Sequence, residues 1–217
     1  MTFLEHLEEL RCHIIRSVLA IVTFSILAFI FKNIVFDVIL LGPSKNDFWT
    51  NRMVCLLGER IHIDGLCMNS QPIQLQNTTL AGQFVAHIKI SLISGLVLGF
   101  PYMFHEFWRF IRPALYQNER HHASGAVFYI TFLFLLGVLF GYFLITPFSI
   151  NFLYNYQVSG IVKNIPTLAS YISLVTSIVL VSGILFELPV LVYFLSKIGL
   201  VTPAFLKKYR KHAIVVI

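Results

Sequence analysis

The chain has 217 residues, of which 57% are hydrophobic and only 12% are charged. An ordinary soluble domain is about 25% charged, and a soluble fold of this composition would expose large apolar patches. The net charge of +6 invites comparison with nucleic-acid-binding proteins, but the charges flank long apolar blocks and indicate membrane topology instead. The composition therefore excludes an ordinary soluble domain and predicts a membrane protein with no nucleic-acid partner.

Residues 1–12 are predicted to form a short amphipathic helix that runs into the first membrane span. Leu4, Leu7, Leu10 and Ile14 recur at helical spacing, and acidic residues occupy the other faces.

Four apolar segments are long enough to cross a bilayer, which takes about 20 mostly apolar residues. Each should be an α-helix, because backbone exposed to lipid must satisfy its own hydrogen bonds. A shorter apolar run, 212–217, has the composition of the start of a further span, so we expect the sequence to stop there within a helix. The predicted fold is an all-α, polytopic transmembrane bundle that forms a single integral membrane domain over residues 1–217. Its full spans are predicted at about 14–33, 82–107, 123–146 and 168–197.

The distribution of basic residues predicts that the N-terminus lies in the cytoplasm. With that orientation, 10 of the 16 Lys and Arg residues lie in inner segments, 5 lie in outer segments and Lys89 lies within a span. Such an excess of basic residues marks the cytoplasmic side of a membrane protein. The outer loops are then 33–80 and 146–167, and the inner loops are 108–122 and 198–211.

Two of the three cysteines, Cys55 and Cys67, lie in the long outer loop, where an oxidising compartment would permit a disulfide. Two free thiols are the simpler alternative, and the sequence leaves both open. The third cysteine, Cys12, lies at the inner edge of the first span.

No catalytic or nucleotide-binding motif is present. The sequence contains no GxxxxGKS/T loop, no GxSxG elbow and no CxxC pair. His105-Glu106 lacks the second His of a zinc protease helix, and His121-His122 lack a third ligand nearby in sequence. We therefore expect neither an enzyme nor a bound metal or cofactor.

Glu187 is the charge in the most costly place, because it follows the uncharged run 168–186. An ionised acid at mid-membrane costs about 2.5–3.5 kcal/mol even on lenient scales. Pro189 removes a backbone hydrogen bond nearby and should kink the helix. We favour a functional role in which Glu187 faces protein or trapped water. The alternative is a shallower position in which it is merely solvated.

Lys89 lies near the outer end of the second span. Its long stem can reach the membrane interface by snorkelling, which is the simpler interpretation. A hydrogen bond to a polar group of the first outer loop is the sharper alternative.

Several groups of residues carry a resemblance to one family. In chain order they are His6-Leu7-Glu8-Glu9-Leu10-Arg11, Phe100-Pro101-Tyr102, Phe107-Trp108-Arg109-Phe110-Ile111, Pro113-Ala114-Leu115-Tyr116, Glu119-Arg120 and Phe186-Glu187-Leu188-Pro189. Lys89 and Pro43 also agree. With these matches in order along nearly the whole chain, the sequence resembles TatC, the receptor subunit of the twin-arginine protein translocase.

The resemblance implies a cup-shaped bundle of six spans, of which this sequence holds four and the start of a fifth. It also implies a receptor in the bacterial cytoplasmic membrane that binds signal peptides carrying consecutive arginines. Carboxylates form bidentate hydrogen bonds with guanidinium groups, and the resemblance assigns that role to Glu9 and Glu119. Arg11 and Arg120 would orient these acids. The other residues implied for the site and its apolar edge are His6, Trp108 and Phe110.

The resemblance further implies small TatA- and TatB-type partner subunits, self-association in the complex, and use of the proton gradient to move folded proteins. Glu187, with Pro189 and Lys89, would lie within the membrane and contact the partners, and Pro43 would be structural in the outer loop. A proton-coupled small-solute transporter with Glu187 and Lys89 as relays is the alternative. The internal repeat that would favour it is not visible in the sequence.

Overall fold

The computed structural model describes residues 3–45, 47–61, 73–111, 123–159 and 164–197. The run 212–217, predicted to begin a further span, lies outside these ranges. Apart from an isolated bridge between Gln76 and Thr167, the described part of the chain contains no paired extended segments. The prediction of an all-α fold is confirmed.

Within the described ranges the structure has six α-helices and several short helical turns. The elements are α1 (Phe3–Ile30), a π-helical turn (Ile34–Leu40), a 3₁₀ turn (Gly42–Ser44), α2 (Trp49–Ile61), α3 (Gly82–Ile111), α4 (Ala123–Phe140), a π-helical segment (Gly141–Ile145), α5 (Thr146–Asn155) and α6 (Leu168–Lys197).

Among the described residues, four stretches of helix are long and apolar enough to cross a membrane, which matches the predicted number of full spans. They are Leu7–Ile30, Gly82–Ile111, Val127–Asn155 and Leu168–Val192. The predicted amphipathic N-terminal stretch is continuous with the first span in α1.

The third span is longer than predicted, because residues 146–155 are helical rather than part of a loop. Pro147, which predicts a loop from sequence alone, lies in the first turn of α5. The Phe143 carbonyl, four residues before it, accepts from the Thr50 hydroxyl instead. The π-helical segment that precedes Pro147 joins α4 to α5 without a break. Within that segment the Thr146 hydroxyl donates to the Gly141 carbonyl at 2.8 Å and satisfies an acceptor of the wider turn.

The first two spans, α1 and α3, pack through glycines that let their backbones approach closely. Gly95 of α3 lies against Ser25 of α1, and Gly99 lies against Ile21. Since the higher number on one helix meets the lower number on the other, the two helices are antiparallel. Small residues are favoured at such interfaces because lipid provides no hydrophobic force between helices, and close packing has to supply the contact energy.

The third and fourth spans pack in the same manner. Gly137 and Gly141 of α4 and its π-helical extension lie against Ser182 of α6, and Gly183 of α6 lies against the Phe134 ring. Helix α3 also contacts both α4 and α6. The two helix pairs therefore meet along α3.

Described residues between the first two spans form hydrogen bonds at the end of the bundle opposite the N-terminus. The Tyr142 and Tyr171 hydroxyls donate to the carbonyls of Ile39 and Leu40, at 2.6 and 2.8 Å. The Gln76 N–H donates to the residue 166 carbonyl at 3.0 Å, so this segment is also bonded to the start of α6. These bonds attach the connecting segment to the third and fourth spans.

Candidate functional site

The end of the bundle that carries the N-terminus holds the first of the predicted arginine-binding acids. Glu9 is half-buried on α1, and Arg11 is exposed two residues later. The second predicted acid, Glu119, lies outside the described residues together with Arg120, and so does the side chain of His6. The meeting of Glu9 with Glu119 therefore stays a prediction.

One helical turn after Glu9, a buried acid–base pair joins α1 to α3. His13 Nδ1 and Glu106 Oε2 are 2.5 Å apart, and the two residues are only 8% and 3% exposed. The Tyr102 hydroxyl and the Arg16 guanidinium also lie near the Glu106 carboxylate. A buried carboxylate is tolerated when it is paired and hydrogen-bonded, and His13 supplies that partner.

Motifs do not reveal the His13–Glu106 pair, because Glu106 belongs to no metal motif and His13 follows a charged flank. A usable signal is nevertheless present in the sequence. Consecutive spans are antiparallel, so ionisable residues at the same depth in two spans can face each other, and an acid among apolar neighbours calls for a partner. His13 lies at the depth that matches Glu106.

The two aromatic residues predicted to line the site occupy different environments. Phe110 is half-buried, with its ring edge-on to the His13 ring at a centroid distance of 6.1 Å. Trp108 is buried, and its ring lies 6.3 Å from that of Phe104. Phe110 therefore exposes part of its surface at this end of the bundle. The Trp108 ring is buried and packs against a residue of its own helix, α3.

Glu187 lies on α6, which continues through Pro189 to Lys197. The residue is half-buried, and its Oε1 atom is buried with no hydrogen-bond partner in the described part of the chain. The backbone of Phe134 in α4 lies beside the carboxyl group. Such an atom costs free energy in the folded state. The burial does not match the merely solvated alternative, and the functional role of Glu187 stays a prediction.

Lys89 has a hydrogen-bond partner that differs from both interpretations of the sequence, which were snorkelling to the membrane interface and a bond to the first outer loop. Its ammonium group donates to the Ser173 hydroxyl of α6 at 2.9 Å. The partner lies on the fourth span, whereas the sharper alternative placed it in the first outer loop. The reason is that α3 and α6 are neighbours, which the order of spans along the sequence does not indicate.

Pro43 is fully buried in the 3₁₀ turn after the first span. At the adjacent Gly42, a Cβ atom would lie 3.0 Å from the Tyr142 hydroxyl oxygen. The turn is thus packed against the third span without room for a larger residue, which supports a structural role for Pro43.

Metal ligands do not cluster in the ranges that the structure describes: no group of three or more His, Cys, Asp or Glu side chains there could hold a metal ion. The pair His121-His122 lies outside those ranges.

Comparisons with known proteins identify the family. The family model described as Sec-independent protein translocase protein (TatC) matches residues 5–217. The chain belongs to the TatC family.

Curated TatC proteins match the chain over its whole length. The Sec-independent protein translocase protein TatC of Blattabacterium sp. subsp. Periplaneta americana (strain BPLAN) is 45% identical over 219 residues, covering 100% of this chain and 82% of that protein. The TatC protein of Aquifex aeolicus (strain VF5) is 34% identical over 218 residues, covering 100% of this chain and 81% of that protein.

Solved TatC structures share the fold. A crystal structure of the twin-arginine translocase receptor TatC matches with a TM-score of 0.70 at 29% identity, covering 97% of this chain and 83% of that one. A second, described as the same receptor in DDM, matches with a TM-score of 0.75 at 32% identity, covering 97% and 84%. The predicted TatC resemblance and TatC-like helical bundle are confirmed.

Membership of the TatC family makes the chain a component of the Sec-independent translocase. It is a multi-pass membrane protein with a transport role rather than a catalytic one. The family assignment favours this role over the alternative of a proton-coupled small-solute transporter.

The cysteines of this TatC-family chain differ in state. Cys55, on α2, is disulfide-bonded, whereas Cys12, on α1, is an exposed free thiol. Cys67, the predicted partner of Cys55, lies outside the described residues, so the identity of the pair stays a prediction.

We expect the unreduced protein to migrate faster than the reduced protein on a denaturing gel, because a disulfide restricts the unfolded chain. Cys55→Ser and Cys67→Ser should each abolish that difference. Cys12→Ser is the matched control and should retain it. Identical migration of the native protein with and without reductant would contradict the disulfide.

Proposed function

We propose that this chain is the core and signal-peptide receptor of a twin-arginine translocase in the bacterial cytoplasmic membrane. In this proposal the end that carries Glu9 faces the cytoplasm and binds signals with consecutive arginines. TatA- and TatB-type subunits then join a complex in which the receptor self-associates, and the proton gradient drives the passage of folded proteins. Residues 1–217 act in it as one membrane domain.

The half-buried Glu9 on α1 is the observation that carries the proposal. A guanidinium is always charged and forms bidentate hydrogen bonds with a carboxylate. Partial burial makes such a bond stronger than it would be at a fully exposed site, because water screens it less. Phe110, half-buried at the same end of the bundle, adds apolar surface for the hydrophobic part of a signal.

Glu119 is proposed as the second acid, so that each carboxylate takes one arginine. Arg11 and Arg120 orient the two acids by local pairing, and His6 belongs to the same site. Trp108 contributes indirectly, because its buried ring supports the last turns of α3.

Partner subunits are proposed to contact α6 around Glu187 and Pro189. The Oε1 atom of Glu187 has no hydrogen-bond partner in the described residues. A partner helix that brings a donor would satisfy this atom, and polar side chains join helices in membranes in this way. Lys89 is better assigned to holding α3 against α6, because its ammonium group is already bonded to Ser173.

We expect Glu9→Gln to weaken binding of a twin-arginine signal peptide about tenfold or more, because a neutral amide cannot form the charge-assisted bidentate bond. Glu8→Gln removes the adjacent, exposed carboxylate and is the matched control, with affinity expected within about twofold of wild type. The measurement is fluorescence anisotropy of a labelled peptide with the receptor in nanodiscs.

A twin-lysine peptide provides the second comparison, since an ammonium group lacks the planar fork of a guanidinium. Equal affinity of the wild-type receptor for both peptides would contradict arginine recognition. Unchanged affinity in Glu9→Gln, or an equal loss in Glu8→Gln, would contradict the role of Glu9.

A further inference from the structure

We propose that the buried His13–Glu106 pair positions Glu9: it fixes the register of α1 on α3 and so determines where Glu9 meets the arginines of a signal. The inference rests on the proposed function and adds two residues to the same site. Neither His13 nor Glu106 belongs to the motifs that carry the family resemblance.

The pair is the buried contact of the first part of α1. Along the stretch Leu7–Leu27, His13 is the one residue that is buried, and its neighbours are exposed or half-buried. The next buried residue of the helix is Ala28, near its far end. Between Leu7 and Leu27 the bond to Glu106 is therefore made by the most buried residue of α1, and it adds a directional contact to the half-buried packing around it.

The pair lies in line with the remaining contacts between α1 and α3. Going toward the N-terminal end, these contacts join Ser25 to Gly95, Ile21 to Gly99 and His13 to Glu106. Each step moves a nearly equal number of residues along both helices, as antiparallel packing requires. One more turn in the same direction reaches Glu9 on α1 and Phe110 on α3.

Glycine contacts and a hydrogen-bonded pair constrain the helices differently. Glycines and aliphatic side chains allow close approach but form few directional bonds. A shift of one residue moves a helix by about 1.5 Å, which breaks a hydrogen bond of ordinary geometry. Fixing the register of packed helices is the best-attested use of a buried polar pair.

Because Glu9 lies only one helical turn from His13, fixing the register of α1 at His13 also fixes the position of Glu9. Residues four apart lie on the same face of a helix, separated by about 6 Å along its axis. A displacement of α1 at His13 is therefore carried to Glu9 within a single turn. Bidentate bonds between a carboxylate and a guanidinium tolerate little displacement.

The test compares three variants of the receptor in nanodiscs. His13→Leu removes one partner, whereas His13→Glu combined with Glu106→His exchanges the two groups and restores the pair. His87→Leu is the matched control. It breaks a contact of the same two helices at the opposite end, where His87 Nε2 lies 3.1 Å from the Phe29 carbonyl oxygen and the two rings stack.

We expect His13→Leu to weaken binding of the twin-arginine peptide about tenfold, as misplacements of about 1 Å do at preorganised sites. The exchanged pair should bind within about threefold of wild type, and His87→Leu should bind normally. Spin labels at the exposed positions Leu7 and Phe107, in a Cys12→Ser background, report the register. Their distance distribution should shift or broaden in His13→Leu and return in the exchanged pair.

Wild-type affinity in His13→Leu would overturn the proposal, as would lost affinity with an unchanged distance distribution. The exchanged pair keeps the test decisive where His13→Leu does not fold: wild-type distances without restored affinity would also overturn it. The Glu9→Gln variant distinguishes failure of the receptor role from failure of the positioning role of His13 and Glu106. Weak binding in Glu9→Gln with normal binding in His13→Leu would leave the receptor role standing and remove only the positioning role, whereas normal binding in Glu9→Gln would contradict the receptor role itself.

Discussion

A Gly95→Val protein is expected to lose the folded bundle, with almost no monodisperse protein extracted from membranes. A Cβ atom at residue 95 would lie 2.6 Å from the Ser25 amide nitrogen and 2.8 Å from the Ile21 carbonyl oxygen, and it would overlap the Ser25 hydroxyl. Extra methylenes in a filled core cost about 1–3 kcal/mol. Here the cost is greater, because backbone atoms cannot rotate away and two whole helices must separate.

Gly95→Ala gives a graded version of the same experiment. Alanine favours a helix over glycine by about 1 kcal/mol, so helix propensity alone would stabilise this variant. We expect the steric cost to exceed that gain and the Tm to fall by roughly 4–10 °C. Thermal unfolding in one detergent, followed by fluorescence, with size-exclusion profiles of the same samples, provides the measurement.

Gly125→Ala is the matched control for the glycine substitution. Gly125 is an exposed residue of α4, and a Cβ atom there would lie 3.7 Å from the Tyr129 ring, which is ordinary van der Waals contact. Its Tm should be unchanged or slightly raised. Equal Tm values for the two alanine variants would show that α1 and α3 are not held in backbone contact at Gly95.

The spans of this protein could be predicted because hydrophobic length sets them, and the bilayer imposes that length on any sequence. The extension of the third span to Asn155 could not. Pro147 predicts a loop, yet the helix continues through it after the π-helical segment Gly141–Ile145. A distant side chain, Thr50, donates to the Phe143 carbonyl that precedes the proline by four residues. No local sequence pattern predicts that π-helical segment.

A motif indicates candidate site residues only where it contains them. Glu9 and Arg11 stand in a motif, whereas the His13–Glu106 bond joins residues 93 apart. The bond between Lys89 and Ser173 spans 84 residues. Such bonds depend on which helices are neighbours, at what depth and with what rotation, and those are properties of packing rather than of local sequence.

Glu187→Leu is expected to raise the thermal stability of the protein while removing the association that we propose with TatA- and TatB-type subunits. The buried Oε1 atom has no hydrogen-bond partner in the described residues, and an unsatisfied buried polar atom costs about 1–3 kcal/mol. Leucine removes that cost, so the Tm should rise by roughly 2–6 °C. Copurification of tagged partner subunits should fall about tenfold or more, and transport of a folded reporter should fall to background.

Binding of the twin-arginine peptide should be unchanged in Glu187→Leu, because Glu9 lies at the N-terminal end of another helix. Thr176→Val is the matched control on α6: its buried hydroxyl donates to the Ile172 carbonyl at 2.7 Å and has no assigned partner role. That variant should keep both partner association and transport.

Lost peptide binding in Glu187→Leu would contradict the separation of the two sites, and unchanged copurification would remove Glu187 from the partner contact. Higher stability together with lost transport is the combination that a structural residue cannot produce, because a side chain needed for the fold cannot be replaced at a gain in stability.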